Sequence, residues 1–262
     1  MKLGFIGMGN MATAIASGFL SKGLIRHDEV FAYAPNQEKL KKNGEKIGFV
    51  PVDSLEKLVD TCEVIFLACK PYQLEGVFDS IGEKLSGKEI VSIAAGWDFK
   101  RLSGCLKNSG IQAVMPNTPA MVGEGVFLFE KDYSISEDTR NYLIAMFQGL
   151  GAVLQLPGEL MGIGGAISGC GPAFMDICME AYADAAVKYG ISREDAYKMV
   201  AKTMIGTAKL MLETGKHPGE LKDQVCSPNG TTICGVAALE EYGFRNACIK
   251  SIDAIMEKKK TM

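Results

Sequence analysis

The segment KLGFIGMGNMA, running from Lys2 to Ala12, decides the fold of the amino-terminal half of the chain. Its apolar run Leu3 to Ile6 predicts a buried strand, and a helical pattern follows it. Between the two, Gly7, Gly9 and Ala12 form GxGxxA, which in this context is typical of a dinucleotide site. Gly7 permits a tight turn, Gly9 lets a pyrophosphate approach the backbone, and Ala12 lets helix pack on strand. The alternative is an ordinary turn of small residues.

Further apolar runs alternate with helical patterns, which is the rhythm of strands connected by helices. The predicted strands are Leu3–Ile6, Val30–Ala34, Val64–Ala68, Ile90–Ala94, Ile111–Met115, Val126–Phe129 and Val153–Leu156. Helix-forming residues fill 37–46, 73–85 and 137–148. We expect the strands to pair in parallel, with helices on both faces of the sheet. Residues 1–157 are therefore predicted to form a doubly wound α/β domain.

After Leu156 the strand signals nearly stop, and residues 158–262 are predicted to form an all-α domain. Helical periods run over 172–189, 193–213 and 244–260. Several positions are apolar on more than one face of these helices, namely Met199, Met204, Ile205, Leu210 and Met211. About a hundred residues of helix can hardly bury them all alone. We expect oligomerisation through this domain; helices internal to a larger bundle are the alternative.

Composition disfavours several classes of function. The chain has 262 residues, a net charge of -3 and a pI near 5.6, and Lys258–Lys260 is its one dense cationic run, so nucleic acid is not expected as a partner. Eight cysteines without a CxxC pair favour a reducing, cytoplasmic location. The stretch before Leu20 vaguely resembles a secretory signal, but Gly4, Gly7 and Gly9 interrupt it. No later stretch approaches about 18 uninterrupted apolar residues, so no membrane span is expected.

The end of the second predicted strand indicates which dinucleotide binds. NAD enzymes usually carry an acidic residue there for the ribose hydroxyls. Here the residues are Ala34, Pro35 and Asn36, with Lys39 one helical turn onward. A neutral asparagine beside a lysine tolerates a 2′-phosphate, so NADPH is favoured. Because no arginine is present, NADH stays open as an alternative.

Three further loops follow predicted strands, at the edge where open α/β sheets bind ligands. They are Ala68–Pro71 (ACKP), Ala94–Gly96 (AAG) and Met115–Pro119 (MPNTP). Small residues in AAG admit a ring close to the backbone, and Asn117 and Thr118 offer polar groups. Lys70 either contacts cofactor or substrate, or it is solvated or has a structural role. Cys69 is expected to pack rather than to act as a nucleophile.

A second motif, SPNGTT, occupies Ser227–Thr232, and a helical pattern resumes after it. Free amides at this helix start would hold a carboxylate, and the threonine hydroxyls donate or accept hydrogen bonds. The alternative is that Ser and Thr merely cap the helix. His217, next to Pro218, is expected to cap a helix rather than to act as a general acid. Two scattered histidines do not make a metal site.

These motifs, together with SGCGPAF at Ser168–Phe174, strongly resemble the pyrroline-5-carboxylate reductase family. The resemblance runs essentially end to end. Its most specific part is HPGELKDQVCSPNGTTICGVAALEEYGFR, His217–Arg245. The chain departs from commoner versions at Cys170, Asn229 and Trp97.

The resemblance implies a Rossmann-type domain and a helical dimerisation domain, with homodimers often assembled into larger rings. It implies that NADPH, or less often NADH, reduces the cyclic imine 1-pyrroline-5-carboxylate to L-proline, the final step of proline biosynthesis. By matching positions, the cofactor is expected to contact Ile6, Gly7, Met8, Gly9, Asn10, Met11, Ala12, Asn36, Ala68, Cys69, Lys70, Pro71, Ala95 and Gly96. The substrate is expected on Ser227, Gly230, Thr231 and Thr232, near the partner subunit's nucleotide.

Thr232 is the candidate catalytic residue. Hydride transfer to an imine carbon depends mainly on positioning. The Thr232 hydroxyl is expected to bond the ring nitrogen, while amides near Gly230 and Thr231 hold the carboxylate. A 3-hydroxyacid dehydrogenase is one alternative, but it typically needs a lysine in GxxxKxxN, and GAISGCGPAF from Gly165 has none. An NADP-sensing binding protein is the other, and catalytic turnover would exclude it.

Overall fold

The computed structural model describes residues 1–260 of the chain. Contacts divide the chain into two compact units, of which the first is Met1–Gly169 and the second begins at Cys170. The sequence-based boundary after residue 157 precedes this division by one short helix and a π-helical turn. That helix packs on the last two strands of the sheet, which explains why it belongs to the first unit.

One eight-stranded sheet forms the centre of the first unit. Its strands are β1 (Leu3–Ile6), β2 (Val30–Tyr33), β3 (Val50–Pro51), β4 (Val64–Leu67), β5 (Glu89–Ser92), β6 (Gly110–Met115), β7 (Gly125–Tyr133) and β8 (Gly151–Leu156). They lie in the order β3-β2-β1-β4-β5-β6-β7-β8. The direction of winding therefore reverses between β1 and β4, and open α/β sheets bind ligands in the crevice at such a reversal.

Helices cover both faces of this sheet. They are α1 (Asn10–Ser21), α2 (Gln37–Ile47), α3 (Leu55–Thr61), α4 (Leu74–Ile81), α5 (Phe99–Cys105), α6 (Glu137–Gln148) and α7 (Gly158–Gly165). One core cluster joins buried strand residues to those of α1, α2 and α6, and the other joins buried strand residues to those of α3, α4 and α5. The predicted doubly wound α/β architecture is confirmed.

The expectation that all strands pair in parallel is wrong at one place. β6 and β7 are antiparallel, with Met115 opposite Leu128. The connection 116–124 contains only a short 3-10 turn, Thr118–Val122. A parallel pair needs a crossover of a dozen or more residues, so this connection can only return the chain in the opposite direction. β7 and β8 are parallel again, because α6 connects them.

Aromatic side chains fill the core on the α1 and α6 face. Phe5 of β1 and Phe66 of β4 stack with ring centroids 4.5 Å apart. Phe147 of α6 contacts Phe19, Phe66, Phe127 and Phe129. Burying one such side chain stabilises the fold by about 1.5–3 kcal/mol. The alternate residues of β1 and β4 point to the opposite cluster, which anchors both strands from two sides.

The second unit is entirely helical in its described residues. Its helices are α8 (Gly171–Lys188), α9 (Arg193–Thr214), α10 (Pro218–Gln224), α11 (Thr231–Glu241) and α12 (Phe244–Lys259). Among its described hydrophobic residues, Ala183 and Ala196 alone are buried in the single chain. Large apolar side chains are exposed instead, including Met175, Ile177, Met199, Ile205, Leu212 and Ile249. The single chain does not bury this apolar surface.

One helical run within residues 1–260 is long and apolar enough to qualify as a membrane span by length and composition. It is Gly158–Lys188, which contains an 18-residue window with a mean hydropathy of 1.2. No span was expected from the sequence, because no stretch after Leu20 approaches about 18 uninterrupted apolar residues. The same length and composition occur in core helices of soluble proteins, so the finding is weak evidence for a membrane.

Candidate active site

The turn after β1 is held tightly against the loop after β4. The amide of Gly7 donates to the carbonyl of Tyr33 at 2.8 Å. Gly7 has a φ of +96°, a conformation that side chains rarely allow. The amide nitrogen of Cys69 lies 2.7 Å from where a Cβ on Gly7 would stand. Glycine is therefore required here both by conformation and by space.

Gly9 occupies the N-cap position of α1 and opens onto a cavity. Apart from its chain neighbours and the backbone of its own helix, no described atom lies within 4 Å of an ideal Cβ on this residue. No side chain caps the helix at this end. The first amides of α1 are thus available to an anion at the positive end of the helix. This geometry fits a pyrophosphate.

The cavity lies at the reversal between β1 and β4 and has a volume of about 850 Å³. Cofactor pockets of roughly 300–1,000 Å³ are usual. Twelve predicted cofactor residues line it: Ile6, Gly7, Met8, Gly9, Asn10, Met11, Asn36, Ala68, Cys69, Lys70, Pro71 and Ala95. Ala12 and Gly96 do not. Ala12 is buried in the core, where it packs helix on sheet, and Gly96 turns the chain away with a φ of +77°.

The end of the cavity near β2 is lined by neutral and basic side chains. Asn36 caps α2, its side-chain oxygen accepting from the amide of Lys39 at 2.9 Å. The side-chain NH₂ of Asn36 is left for a ligand. Lys39 and Asn43 also line this end, and Asn43 was missed by the sequence analysis. Among the described lining residues there is no Asp or Glu, so nothing there repels a 2′-phosphate.

The opposite end of the cavity is formed by the loops after β4, β5 and β6. Burial raises the pKa of the half-buried Cys69 thiol, which suits packing rather than nucleophilic attack. Lys70 is exposed at the rim, and its backbone amide donates to the side chain of Gln73 at 3.0 Å. Thr118 and Met121 complete this end. Met121 was not predicted, since no motif marks it.

Asn117 does not face a ligand, contrary to the sequence-based interpretation. Its side chain is buried, donating to the carbonyl of Ser168 at 3.0 Å and accepting from the amide of Val126 at 2.8 Å. It therefore secures the start of β7 and the turn after α7. Thr118 alone of the two predicted polar residues lines the cavity.

The polar loop Ser227–Thr232 forms the exposed start of α11. Gly230 is the N-cap residue, and its amide donates to the Ser227 carbonyl at 3.0 Å. Asn229 adopts a φ of +60°, which asparagine tolerates better than most residues. No side chain caps this helix, so the alternative that Ser and Thr merely cap it does not hold. The hydroxyls of Ser227, Thr231 and Thr232 make no hydrogen bond to the described residues.

His217 has a capping role at the start of a helix. It is the N-cap residue of α10, and its Nδ1 accepts from the amide of Gly219 at 3.0 Å, which confirms the capping interpretation. His27 contacts the carbonyl of Gly48 through its Nδ1 at 3.0 Å. Within residues 1–260, no group of three His, Cys, Asp or Glu side chains is placed to hold a metal ion.

Comparison with known families supports both halves of this description. Residues 158–262 match the model for pyrroline-5-carboxylate reductase dimerisation. Residues 2–96 match the model for the coenzyme F420-dependent NADP oxidoreductases. The first match begins at residue 158, whereas the division by contacts follows Gly169.

Individual relatives match along the whole chain. Pyrroline-5-carboxylate reductase from Treponema pallidum is 38% identical over 261 residues, covering 98% of this chain and 99% of the relative. The pyrroline-5-carboxylate reductase from Escherichia coli K12 is 36% identical, and the match covers 100% of this chain and 98% of the relative. Among solved structures, the Plasmodium falciparum pyrroline carboxylate reductase with NADP bound superposes with a TM-score of 0.89 at 32% identity, covering 100% and 97%.

Proposed function

The chain belongs to the pyrroline-5-carboxylate reductase family, and from that membership we propose how its residues divide the reaction. It catalyses the NAD(P)H-dependent reduction of 1-pyrroline-5-carboxylate to L-proline, the final step of proline biosynthesis. We assign cofactor binding to the cavity of the first unit and substrate binding to the loop Ser227–Thr232. The observation that carries this assignment is Gly9, whose missing side chain opens the start of α1 to the cavity.

NADPH is the cofactor that the cavity fits best. When bound, it supplies the hydride that reduces the imine carbon. The turn Gly7–Ala12 holds the pyrophosphate through backbone amides, as the uncapped helix start supports. Asn36, Lys39 and Asn43 form a neutral-to-basic rim for the 2′-phosphate. NADH binds in the same place with weaker contacts at that rim.

The amides at the start of α11 hold the substrate carboxylate. They lie at the positive end of an uncapped helix beside three unpaired hydroxyls, which is a suitable environment for a small anion. A side chain at position 230 would collide with Ser227, because a Cβ there would stand 2.4 Å from the Ser227 Oγ. Glycine at 230 therefore keeps the backbone accessible.

Thr232 orients the imine. Its exposed hydroxyl donates or accepts one hydrogen bond with the ring nitrogen, which fixes the ring and assists its protonation. No strongly basic or acidic side chain is required at this point, because a protonated imine is already electrophilic. Holding the imine carbon in an attack geometry supplies most of the acceleration.

The helical unit forms a homodimer, as its match to the family's dimerisation model indicates. The exposed apolar side chains of α8, α9 and α12 are the surface that a second copy covers. A dimer contact also accounts for the apolar run Gly158–Lys188 without a membrane. We further propose that dimers assemble into a larger ring in the cytoplasm, where the eight free cysteines stay reduced.

Loss of reduced-nicotinamide absorbance on mixing the purified protein with 1-pyrroline-5-carboxylate tests the function directly. NADPH and NADH are run in parallel, and proline is identified as the product. Rapid turnover with a faster rate for NADPH supports the assignment. Absence of turnover with both cofactors overturns it. Light scattering tests assembly, and a strict monomer would contradict the dimer.

A further inference from the structure

Trp97 is the single tryptophan of the chain, and it lies directly behind the cavity wall. It follows the residues Ala94 and Ala95, which line the cavity, but is itself 3% exposed and does not line it. Its amide donates to the carbonyl of Ala94 at 3.2 Å, closing the turn in which Gly96 has its positive φ. The indole is thereby directed into the core rather than toward the ligand.

One hydrogen bond from this indole joins two walls of the cavity. Its Nε1–H donates to the carbonyl of Pro71 at 3.1 Å. Pro71 belongs to the loop after β4, and Trp97 follows the loop after β5. Pro71 and Ala95 both line the cavity. The bond therefore sets the distance between two cavity loops that come from different strands.

The indole ring is held in place on its faces and edge. The Arg101 guanidinium carbon lies 3.8 Å from the ring centroid, and Phe78 packs edge-to-face at 5.4 Å. Arg101 also donates to the carbonyl of Gly96 and to the carboxylate of Glu75, each at 3.4 Å. The exposed Arg101–Glu75 pair contributes little stability by itself. Its contribution is to fix the ring orientation from the solvent side.

We propose that Trp97 is a positioning residue for the cofactor, and that its indole N–H holds the Lys70–Pro71 and Ala94–Ala95 loops at the spacing that NADPH requires. The proposal rests on the placement of NADPH in this cavity. Without the N–H donor, the two loops separate more readily and must be reordered when NADPH binds. Substrate binding at Ser227–Thr232 does not depend on this bond.

An isosteric replacement tests the hydrogen bond alone. Because the chain has one tryptophan, expression in a tryptophan auxotroph supplied with 3-benzothienyl-alanine replaces only this indole by a ring in which sulfur stands for N–H. Binding of NADPH is measured without substrate, from the fluorescence of the reduced nicotinamide. We expect the Kd for NADPH to rise about fivefold, the size of one lost hydrogen bond. The KM for the imine stays unchanged, and the melting temperature falls by no more than about 4 °C, the size of the same lost bond in the free protein.

Two variants complete the test. Trp97→Phe removes the same donor and raises the Kd for NADPH in the same direction. Phe78→Leu is the matched control, because it loosens the packing on the indole but leaves the N–H donor; it lowers the melting temperature without changing the Kd. An unchanged Kd in both donor-free proteins overturns the proposal, as does an equal rise in Phe78→Leu. Failure of the wild-type protein to bind NADPH overturns the proposed function instead.

Discussion

A side chain on Gly7 would collide with the backbone of Cys69, since a Cβ there would stand 2.7 Å from the Cys69 amide nitrogen. The turn after β1 and the loop after β4 therefore fit together only with glycine at position 7. Gly7→Ala is expected to lower the free energy of unfolding by at least about 2 kcal/mol, because the collision adds to the strain of a positive φ. Urea denaturation measures this loss, and an unchanged midpoint would contradict it.

Replacement of Gly9 is expected to weaken cofactor binding without destabilising the fold, unlike replacement of Gly7. Gly9→Ala places a methyl group in open space and in an allowed conformation, so the fold is retained. The methyl group instead occupies the approach of the pyrophosphate, and the Kd for NADPH is expected to rise at least tenfold, about 1.4 kcal/mol. Gly104→Ala on exposed α5 is the matched control, since its Cβ also meets open space but lies outside the cavity lining. Normal NADPH binding by Gly9→Ala would show that the phosphates lie elsewhere.

Thr232→Ala removes the hydroxyl assigned to the ring nitrogen. Turnover is expected to fall at least tenfold, about 1.4 kcal/mol of transition-state stabilisation, with the affinity for NADPH unchanged. Thr232→Ser keeps a hydroxyl and should retain most of the activity. Steady-state kinetics with both substrates separates the effects, and wild-type turnover in the alanine variant would falsify the role of Thr232.

The sequence predicted those parts of the fold that are local. α6 has the predicted ends, because Ser136 caps it and its helical period is regular. β3 was missed, since Val50–Pro51 is a two-residue edge strand with no periodicity to read. β7 was predicted as a strand, but its antiparallel direction was missed although the short connection 116–124 carried the signal. Burial of the Asn117 side chain depends on contacts with distant residues, which no local pattern reports.

Lys39 is expected to set the preference between the two nicotinamide cofactors. Lys39→Glu puts a negative charge at the rim where the 2′-phosphate is proposed to lie, so the KM for NADPH rises about tenfold while that for NADH changes little. Lys41→Glu on the same helix is the control, since Lys41 is exposed but does not line the cavity. Added salt should reduce the rise in the KM for NADPH that Lys39→Glu causes, because salt screens the repulsion. If the ratio of the KM for NADPH to the KM for NADH were the same in Lys39→Glu and Lys41→Glu, the assignment would be contradicted.

Glu130 introduces a pH dependence into stability. It is buried in β7 and accepts from the amide of Phe99 at 2.8 Å; burial raises its pKa above the ordinary glutamate value. Its stabilising contribution is therefore complete below the ordinary pKa, about 4.3, and is lost as the pH rises through the higher folded-state pKa. Glu130→Gln is expected to remove that decline. Unfolding free energies of both proteins from pH 4 to pH 8 check this, and parallel curves would contradict it.

The reversal at β7 determines where the polypeptide leaves the sheet. Because β7 and β8 both run opposite to β6, β8 ends at the sheet edge remote from the glycine turn. α7 then returns the chain across the face, so that Gly165 meets Met115 and the Ser168 carbonyl meets Asn117. Because of this single change of strand direction, the polypeptide leaves the sheet at the edge that also carries the cofactor loops. If β7 were parallel to β6, α7 would end at the opposite edge of the sheet, away from the cofactor loops.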